Sequence, residues 1–243
     1  MNAPIVVGGL GGSGTRLVVQ MLQQIGVFMG AFRNASEDAM PFVPVYDGHI
    51  NVYLAGRVHY PTLMDALMMA LGLHFGGESD DLVAPWGWKN PRSIYLLPLL
   101  DELFDGLRFI HVVRDGVAMA ASENQAQLNK HGRCVIPERF QGMVQGERAL
   151  LLWSIVNNAA ADYGKQMGSR YILLRYEDIC EEPANATAAL ASSLGIAFEI
   201  DKPDRSGVIV HSSRVRNGNL NVNMETEAAQ VATATLRRFG YPC

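Results

Sequence analysis

The sequence has few cysteines, and the three that it has are far apart. Cys134, Cys180 and Cys243 are odd in number and form no Cys-x-x-Cys pair, so they predict neither a disulfide framework nor a cysteine-based metal site. An excess of positive charge is also lacking, because 20 Lys and Arg stand against 24 Asp and Glu, for a formal net charge of −4. The overall field does not attract a polyanion such as DNA. We therefore expect no nucleic-acid partner and a local basic pocket for any anionic ligand.

Long uncharged apolar segments are absent as well. No run reaches the roughly 20 residues that a membrane-spanning helix needs. Residues 1–7 contain no basic region of the kind that begins a secretion signal. These features predict a cytoplasmic protein without a membrane span. Hydrophobic residues make up 49% and charged residues 18% of the 243 residues, which is typical of a folded domain with a sizeable core.

Short apolar segments rich in β-branched residues alternate with longer segments of helical periodicity. Buried strands are predicted at residues 4–8, 86–89, 107–113 and 171–174. Helices are predicted at residues 14–25, 61–73, 91–105, 117–127, 139–167 and 225–239, and from Asp178 onward. The alternation predicts a single α/β domain over residues 1–243, with a central parallel β-sheet flanked by helices.

Two further segments carry specific expectations. Residues 61–73 are apolar nearly all round, which favours a buried helix and leaves a Met-rich contact surface as the alternative. Residues 34–42 are expected to form a short helix or turn with Ser36 as its N-cap. His111 lies inside a predicted buried strand, and we expect it to be a core residue with satisfied hydrogen bonds.

A glycine-rich segment, residues 9–14 (GLGGSG), joins the first strand to the first helix. Its spacing matches the dinucleotide-binding pattern G-x-G-x-x-G, which also needs an acidic residue at the end of the next strand. Residues 27–30 make a poor strand, and Glu37 and Asp38 lie beyond them. An NAD(P)-binding enzyme of the Rossmann type is therefore one alternative.

The same segment approaches the ATP-binding P-loop, in which Lys and then Ser or Thr follow the last glycine. Here Thr15 precedes Arg16, so the metal-binding hydroxyl is not in its usual place. An ATP-dependent phosphotransferase is a second alternative, and a nucleotide-binding module without catalysis is a third.

A phosphosulfate-binding loop explains more of these residues. Backbone N–H groups of a glycine-rich turn can surround a dianion at a helix N-terminus. Hydroxyl groups and a guanidinium add donors and charge. Sulfuryl transfer needs no metal, so we expect none. The loop residues with these properties are Gly11, Gly12, Ser13, Gly14, Thr15 and Arg16.

Four segments in sequence order resemble elements of the sulfotransferase family that uses 3′-phosphoadenosine 5′-phosphosulfate (PAPS). Residues 9–18 (GLGGSGTRLV) resemble its 5′-phosphosulfate loop, and residues 89–91 (KNP) resemble its Lys-x-Pro element. Residues 109–122 (FIHVVRDGVAMAAS) are similar to its 3′-phosphate element, and residues 174–179 (LRYEDI) to its Tyr-Glu-Asp element. The resemblance implies the P-loop NTPase-like sulfotransferase fold, with PAPS as cofactor and 3′-phosphoadenosine 5′-phosphate as product.

The cofactor contacts follow from the chain order and the resemblance. Arg114 ends a buried strand and Ser122 is expected about two turns into the next helix, so together they would clamp the 3′-phosphate from two sides. The resemblance places Tyr176 near the adenine and Arg216 in a late basic loop over the 3′-phosphate. Family members often carry Lys or Arg where Gly12 stands, and Arg16 would take over that charge.

Catalysis would need a general base near the acceptor. Residues 34–38 (NASED) resemble the segment that bears the carboxylate base in glycan-type and tyrosyl-type sulfotransferases, which implies Asp38 as the base and Glu37 as the second choice. A histidine, His49 or His59, is the remaining alternative. Asp38 and Phe42, four residues apart, would share one helical face. Lys89 would stabilise the charge that develops in the transition state. The expected acceptor is a hydroxyl or amine group on a glycan or a small molecule.

Overall fold

The computed structural model describes residues 3–76, 84–198 and 227–242. Four strands are present in these ranges: β1 (Ile5–Gly9), β2 (Gly87–Lys89), β3 (Arg108–Val113) and β4 (Tyr171–Arg175). The helices are α1 (Thr15–Gln24), α2 (Val43–Leu54), α3 (Tyr60–Phe75), α4 (Leu97–Leu103), α5 (Gly116–Ala120), α6 (Ala126–Val135), α7 (Gln145–Met167), α8 (Tyr176–Glu181), α9 (Pro183–Leu194) and α10 (Glu227–Arg238). Short 3₁₀ helices cover Met40–Phe42, Pro91–Leu96, Glu138–Phe140 and Gly168–Arg170.

The four strands form one parallel sheet in the order β2-β1-β3-β4. Val7 is in register with Lys89, Gly9 with Val112, and Val113 with Arg175. Because all strands run in the same direction, their carboxyl ends meet at one edge. The predicted fold, a single α/β domain around a central parallel sheet, is confirmed.

Strands β1, β2 and β3 are buried on both faces, as their near-continuous apolar sequences predict, whereas the edge strand β4 is partly exposed. Successive strand residues point to opposite faces. Val7 and Ile110 therefore pack against one face with residues of α1 and α9, whereas Val6 and Phe109 pack on the other face with α7. The sheet is fixed from both sides, so its carboxyl edge provides a rigid support for side chains.

His111 is a core residue, as the sequence predicts. Its ring is fully buried, with Nδ1 2.5 Å from the Tyr171 hydroxyl and Nε2 2.7 Å from the Asn157 side-chain oxygen. Burial lowers the pKa of His111 to about 4, because removal from water disfavours the charged imidazolium. At neutral pH the ring is neutral and serves as a structural group.

The helix predicted at residues 117–127 is wrong in one respect, because it is two helices with a turn between them. Helix α5 ends at Ala120 and α6 begins at Ala126. The buried Gln125 amide donates to the carbonyl oxygens of Met119, Ala120 and Ser122, and these bonds replace the helical bonds lost at the break. Ser122 consequently lies in the turn and not two turns into a helix.

The segment at residues 34–42 contains a turn and the short 3₁₀ helix Met40–Phe42, as predicted, but its side-chain cap differs from the prediction. Ser36 is not an N-cap; instead the Asn34 side-chain oxygen accepts hydrogen bonds from the backbone N–H groups of Ser36 and Asp38, both at 2.9 Å. Asp38 precedes the 3₁₀ helix Met40–Phe42, so it does not share a helical face with Phe42. The Phe42 ring is fully buried and stacks on Trp88 at 4.6 Å.

Two long helices depart from expectation at their surfaces or ends. Helix α3 buries one face through Leu63, Leu67 and Ala70, while Met68 and Met69 are more than half exposed, so the prediction of an all-round buried helix is wrong. Helix α7 begins at Gln145 rather than at residue 139.

Within the described ranges, no helix has both the length and the apolar character that crossing a bilayer requires.

Candidate functional site

A cavity of about 430 Å³ lies at the carboxyl edge of the sheet. It is lined by the β1–α1 loop, the end of β2, the residue after β3, the first residue of α8 and part of α6. The lining residues are Gly11, Gly12, Gly14, Thr15, Arg16, Leu17, Gln20, Ser36, Asp38, Lys89, Asn90, Pro91, Arg92, Arg114, Asn124, Ala126, Gln127, Lys130 and Tyr176. Parallel α/β sheets bind ligands at this edge.

The β1–α1 loop requires glycine for two reasons. Gly12 and Gly14 have φ values of 98° and 93°, which strain any residue with a side chain. A Cβ atom on Gly14 would lie 2.1 Å from the Tyr176 ring, whereas Cβ atoms on Gly11 and Gly12 would meet nothing closer than 3.6 Å. The backbone at Gly11 and Gly12 is therefore open to a ligand.

The loop leads into the N-terminus of α1, where no side chain caps the helix and no acidic residue occupies the first turn. Unpaired N–H groups and the helix dipole favour an anion at such an end. Thr15 and Arg16 line the cavity beside it. Ser13 does not line the cavity: its N–H donates to the Leu10 carbonyl, and its buried hydroxyl has no hydrogen-bond partner among the described residues.

Lys89 and Asp38 form an ion pair in the cavity wall. Lys89 ends β2 with a side chain only 3% exposed, and its ammonium donates to Asp38 Oδ1 at 2.5 Å and to the Ser36 carbonyl at 2.8 Å. Asn34 Nδ2 donates to the other carboxylate oxygen of Asp38 at 3.3 Å. Burial lowers the pKa of Lys89, and the Asp38 carboxylate opposes that shift.

Glu37, the alternative acidic residue, points elsewhere. Its φ of 64° is left-handed, and its carboxylate pairs with Arg33 at 2.9 Å. It is not among the residues that line the cavity, whereas Asp38 is. The structure therefore brings Asp38, Lys89 and Arg16 together in one cavity and leaves Glu37 outside it.

Arg114 and Tyr176 lie on the opposite side of the loop from Lys89. Arg114 Nη1 donates to the Gly12 carbonyl at 3.0 Å, and its guanidinium lies 4.8 Å from the centre of the Tyr176 ring. Ser122 is exposed and does not line the cavity; its Oγ accepts the Asn124 N–H at 3.2 Å. Arg216 lies outside the described residues.

Sequence reasoning missed a basic cluster at the end of the cavity near β2. Arg92 and Lys130 both line the cavity, and both donate to Asp47 Oδ1, at 2.5 and 2.7 Å. The three residues belong to a 3₁₀ helix, to α6 and to α2, so no local pattern connects them. Asn34 was missed as well, although an Asn two residues before Ser36 is a recognisable turn pattern.

Comparison with known proteins gives a family and a fold. The sequence model of the sulfotransferase family matches residues 4–200. No curated protein matches the chain. Among solved structures, the sulfotransferase domain of the olefin synthase of Synechococcus PCC 7002 is similar, with a TM-score of 0.60, 15% identity, and coverage of 100% of this chain and 96% of that one.

Two further structures are similar at the level of fold. The sulfotransferase domain of the curacin biosynthetic pathway has a TM-score of 0.62 and 14% identity, and the match covers 100% of this chain and 99% of that domain. A sulfotransferase from Alicyclobacillus acidocaldarius has a TM-score of 0.53 and 13% identity, with 98% and 96% coverage.

The ion pair yields a prediction about the Lys89 pKa. Asp38→Asn should lower the pKa of Lys89 further below its usual value, because the carboxylate is the main group that opposes the effect of burial. The ¹³Cε signal of Lys89, followed by NMR between neutral and alkaline pH, measures this. Glu37→Gln is the matched control and should shift the pKa less. An unchanged pKa in Asp38→Asn, or equal shifts in both variants, would show that the pair does not govern this lysine.

Proposed function

The chain belongs to the sulfotransferase family, and we propose that it transfers a sulfuryl group from PAPS to a hydroxyl or amine acceptor. One observation carries the proposal: an anion-binding loop, an Asp38–Lys89 ion pair and the Arg114 guanidinium line a single cavity. The loop and Arg114 can bind an anionic donor. In the ion pair, Lys89 can stabilise the charge that develops on transfer, and Asp38 can take the proton that must leave the acceptor.

The cavity fits PAPS through the chemistry of its donors. The open backbone at Gly11 and Gly12, with Thr15 and Arg16 at the start of α1, suits the phosphosulfate. Arg114 and the Tyr176 ring, on the other side of the loop, suit the 3′-phosphate and the adenine. When bound, PAPS supplies the activated sulfuryl group and leaves as adenosine 3′,5′-bisphosphate.

Ser13, Ser122 and Arg216 have weaker support as cofactor ligands. Ser13 is buried beneath the loop, and Ser122 lies in the turn after α5. Either would have to move to reach a ligand in the cavity. Arg216 stays a prediction from the resemblance to the family.

We assign charge stabilisation to Lys89 and Arg16. Gly12 stands where family members often carry a cation, so Arg16, the second residue of α1, supplies the positive charge beside the loop. The Lys89 ammonium is held by the Ser36 carbonyl and by Asp38. A fixed cation of this kind stabilises charge that develops in the transition state without reorganising.

We assign the general base to Asp38. Its Oδ1 is bound by Lys89 and its Oδ2 accepts a long hydrogen bond from Asn34. Oδ2 is therefore the oxygen that can take the proton from the acceptor. Because Asp38, Lys89 and Arg16 share one cavity, catalysis is favoured over a module that only binds nucleotide. Neither the phosphotransferase nor the dinucleotide alternative has a comparable observation in its favour.

The donor assignment predicts selective binding of adenosine 3′,5′-bisphosphate. This nucleotide should raise the melting temperature by binding the folded state, and AMP should do so much less because it lacks the group that Arg114 binds. Arg114→Gln should remove most of the difference between the two nucleotides.

The donor assignment also predicts that no metal takes part, so transfer from PAPS should persist in excess EDTA. Equal shifts with the two nucleotides, or activity that returns only with magnesium, would contradict the assignment.

The base assignment predicts opposite behaviour for two neighbouring carboxylates. Asp38→Asn keeps the side-chain shape, so bisphosphate binding should persist while the single-turnover rate falls about 100- to 10,000-fold. Glu37→Gln should stay within a few-fold of the parent, since its carboxylate lies outside the cavity and pairs with Arg33. A large rate loss in Glu37→Gln, or none in Asp38→Asn, would assign the base to another residue.

A further inference from the structure

The order of the strands gives the cavity two different ends. Tyr176 and Arg114 directly follow β4 and β3, on one side of the β1–α1 loop. Lys89 ends β2 and Arg92 comes soon after it, on the other side. With the nucleotide on the β3–β4 side, the acceptor enters from the β2 side. We call Arg92, Gln127 and Lys130, which line that side, the acceptor end.

The cavity has more positively charged side chains than the proposed donor contacts. Among the described residues that line it, five are cations and one, Asp38, is a carboxylate. Three of the cations have been assigned above: Arg16 and Lys89 to the transferred group, and Arg114 to the 3′-phosphate. Arg92 and Lys130 are left at the acceptor end. In a chain of net charge −4, such a concentration of positive charge is a local feature of the cavity.

Within the described part of the chain, Arg92 and Lys130 share a single carboxylate partner. Both donate to the same oxygen of Asp47, at 2.5 and 2.7 Å. Arg92 is more than nine-tenths buried, and a buried cation needs hydrogen bonds as well as a counter-charge. Its Nε reaches Asn90 Oδ1 at 3.4 Å, and its Nη2 has no hydrogen bond among the described residues. A planar guanidinium with an unused N–H group suits a carboxylate or phosphate.

We propose that the acceptor carries an anionic group, a carboxylate or a phosphate, that binds between Arg92 and Lys130 while its hydroxyl or amine lies near Asp38. The inference rests on the proposed function for the meaning of the acceptor end. Asp47 holds the two cations in place and balances one of their two charges. The bound anion balances the other.

The test uses anions in protein saturated with adenosine 3′,5′-bisphosphate, so that the donor side is filled. Acetate and inorganic phosphate are titrated separately, and the Arg92 Nε–H and Lys130 ¹³Cε signals are followed by NMR. Saturable shifts are expected with one or both anions, and acetamide, which is neutral, should cause none. The anion that binds more tightly identifies the acceptor group as carboxylate or phosphate.

Charge variants test whether the two cations act directly. Lys130→Gln should weaken anion binding about 2- to 5-fold, since Lys130 is half exposed. Asp47→Asn should strengthen anion binding, because it removes the carboxylate that competes for the two cations. Adding Arg92→Gln to Asp47→Asn should then weaken anion binding at least about 10-fold relative to Asp47→Asn alone. Lys165→Gln is the matched control, an exposed lysine on α7 paired with Asp162; it should change nothing.

Three outcomes would overturn the proposal. One is that neither signal responds to acetate or phosphate. Another is that Lys165→Gln weakens binding as much as Lys130→Gln, which would reflect net charge alone. The third comes from calorimetry on matched pairs, 4-hydroxybenzoate with its amide and 6-hydroxyhexanoate with its amide, if no acid binds better than its amide. If adenosine 3′,5′-bisphosphate does not bind, the proposed function is contradicted. If it binds but the anions do not, only the anionic acceptor is contradicted.

Discussion

The parallel pairing of β1 with β2 on one side and β3 on the other is the constraint on which the site depends. It places Lys89, the glycine-rich loop and Arg114 side by side at one edge of the sheet. The close approach needs glycine, because a Cβ on Gly9 would lie 2.5 Å from the Val112 carbonyl oxygen. Since the sheet is packed on both faces, these positions are fixed before any ligand arrives. The strand order also places Lys89 and Arg92 on one side of the loop and Arg114 and Tyr176 on the other, which is the basis for the proposed nucleotide and acceptor ends.

The Asp38–Lys89 pair is the second constraint, and it links the sheet to an irregular loop. Lys89 is only 3% exposed, so its charge needs a partner of opposite charge. Asp38, in the loop of residues 34–39, is that partner. Asn34 binds two backbone N–H groups of that loop, and Glu37 adopts a left-handed conformation that costs on the order of 1–3 kcal/mol. Strain of this kind is expected where a side chain must be aimed at a site.

Local patterns predicted the four strands and the glycine-rich loop, and the carboxyl ends of parallel strands meet at one edge. Asp38, Lys89 and Arg16 were chosen as catalytic residues through the resemblance to the sulfotransferase family, and all three line one cavity. Distinguishing Asp38 from Glu37 was not possible, since it depends on the backbone angle of one residue. The break after α5 depends on the Gln125 side chain. The basic cluster was out of reach, because Asp47, Arg92 and Lys130 come from three separate segments and share no sequence pattern.

The most direct test of the two-ended cavity is a crystal structure of the protein with adenosine 3′,5′-bisphosphate. The 5′-phosphate should contact the backbone of the β1–α1 loop and Arg16, and the 3′-phosphate should contact Arg114 beside the Tyr176 ring. Arg92 and Lys130 should then remain bound to Asp47 and make no contact with the nucleotide. A 3′-phosphate found between Arg92 and Lys130, with no contact between Arg114 and the nucleotide, would contradict the assignment of the two ends.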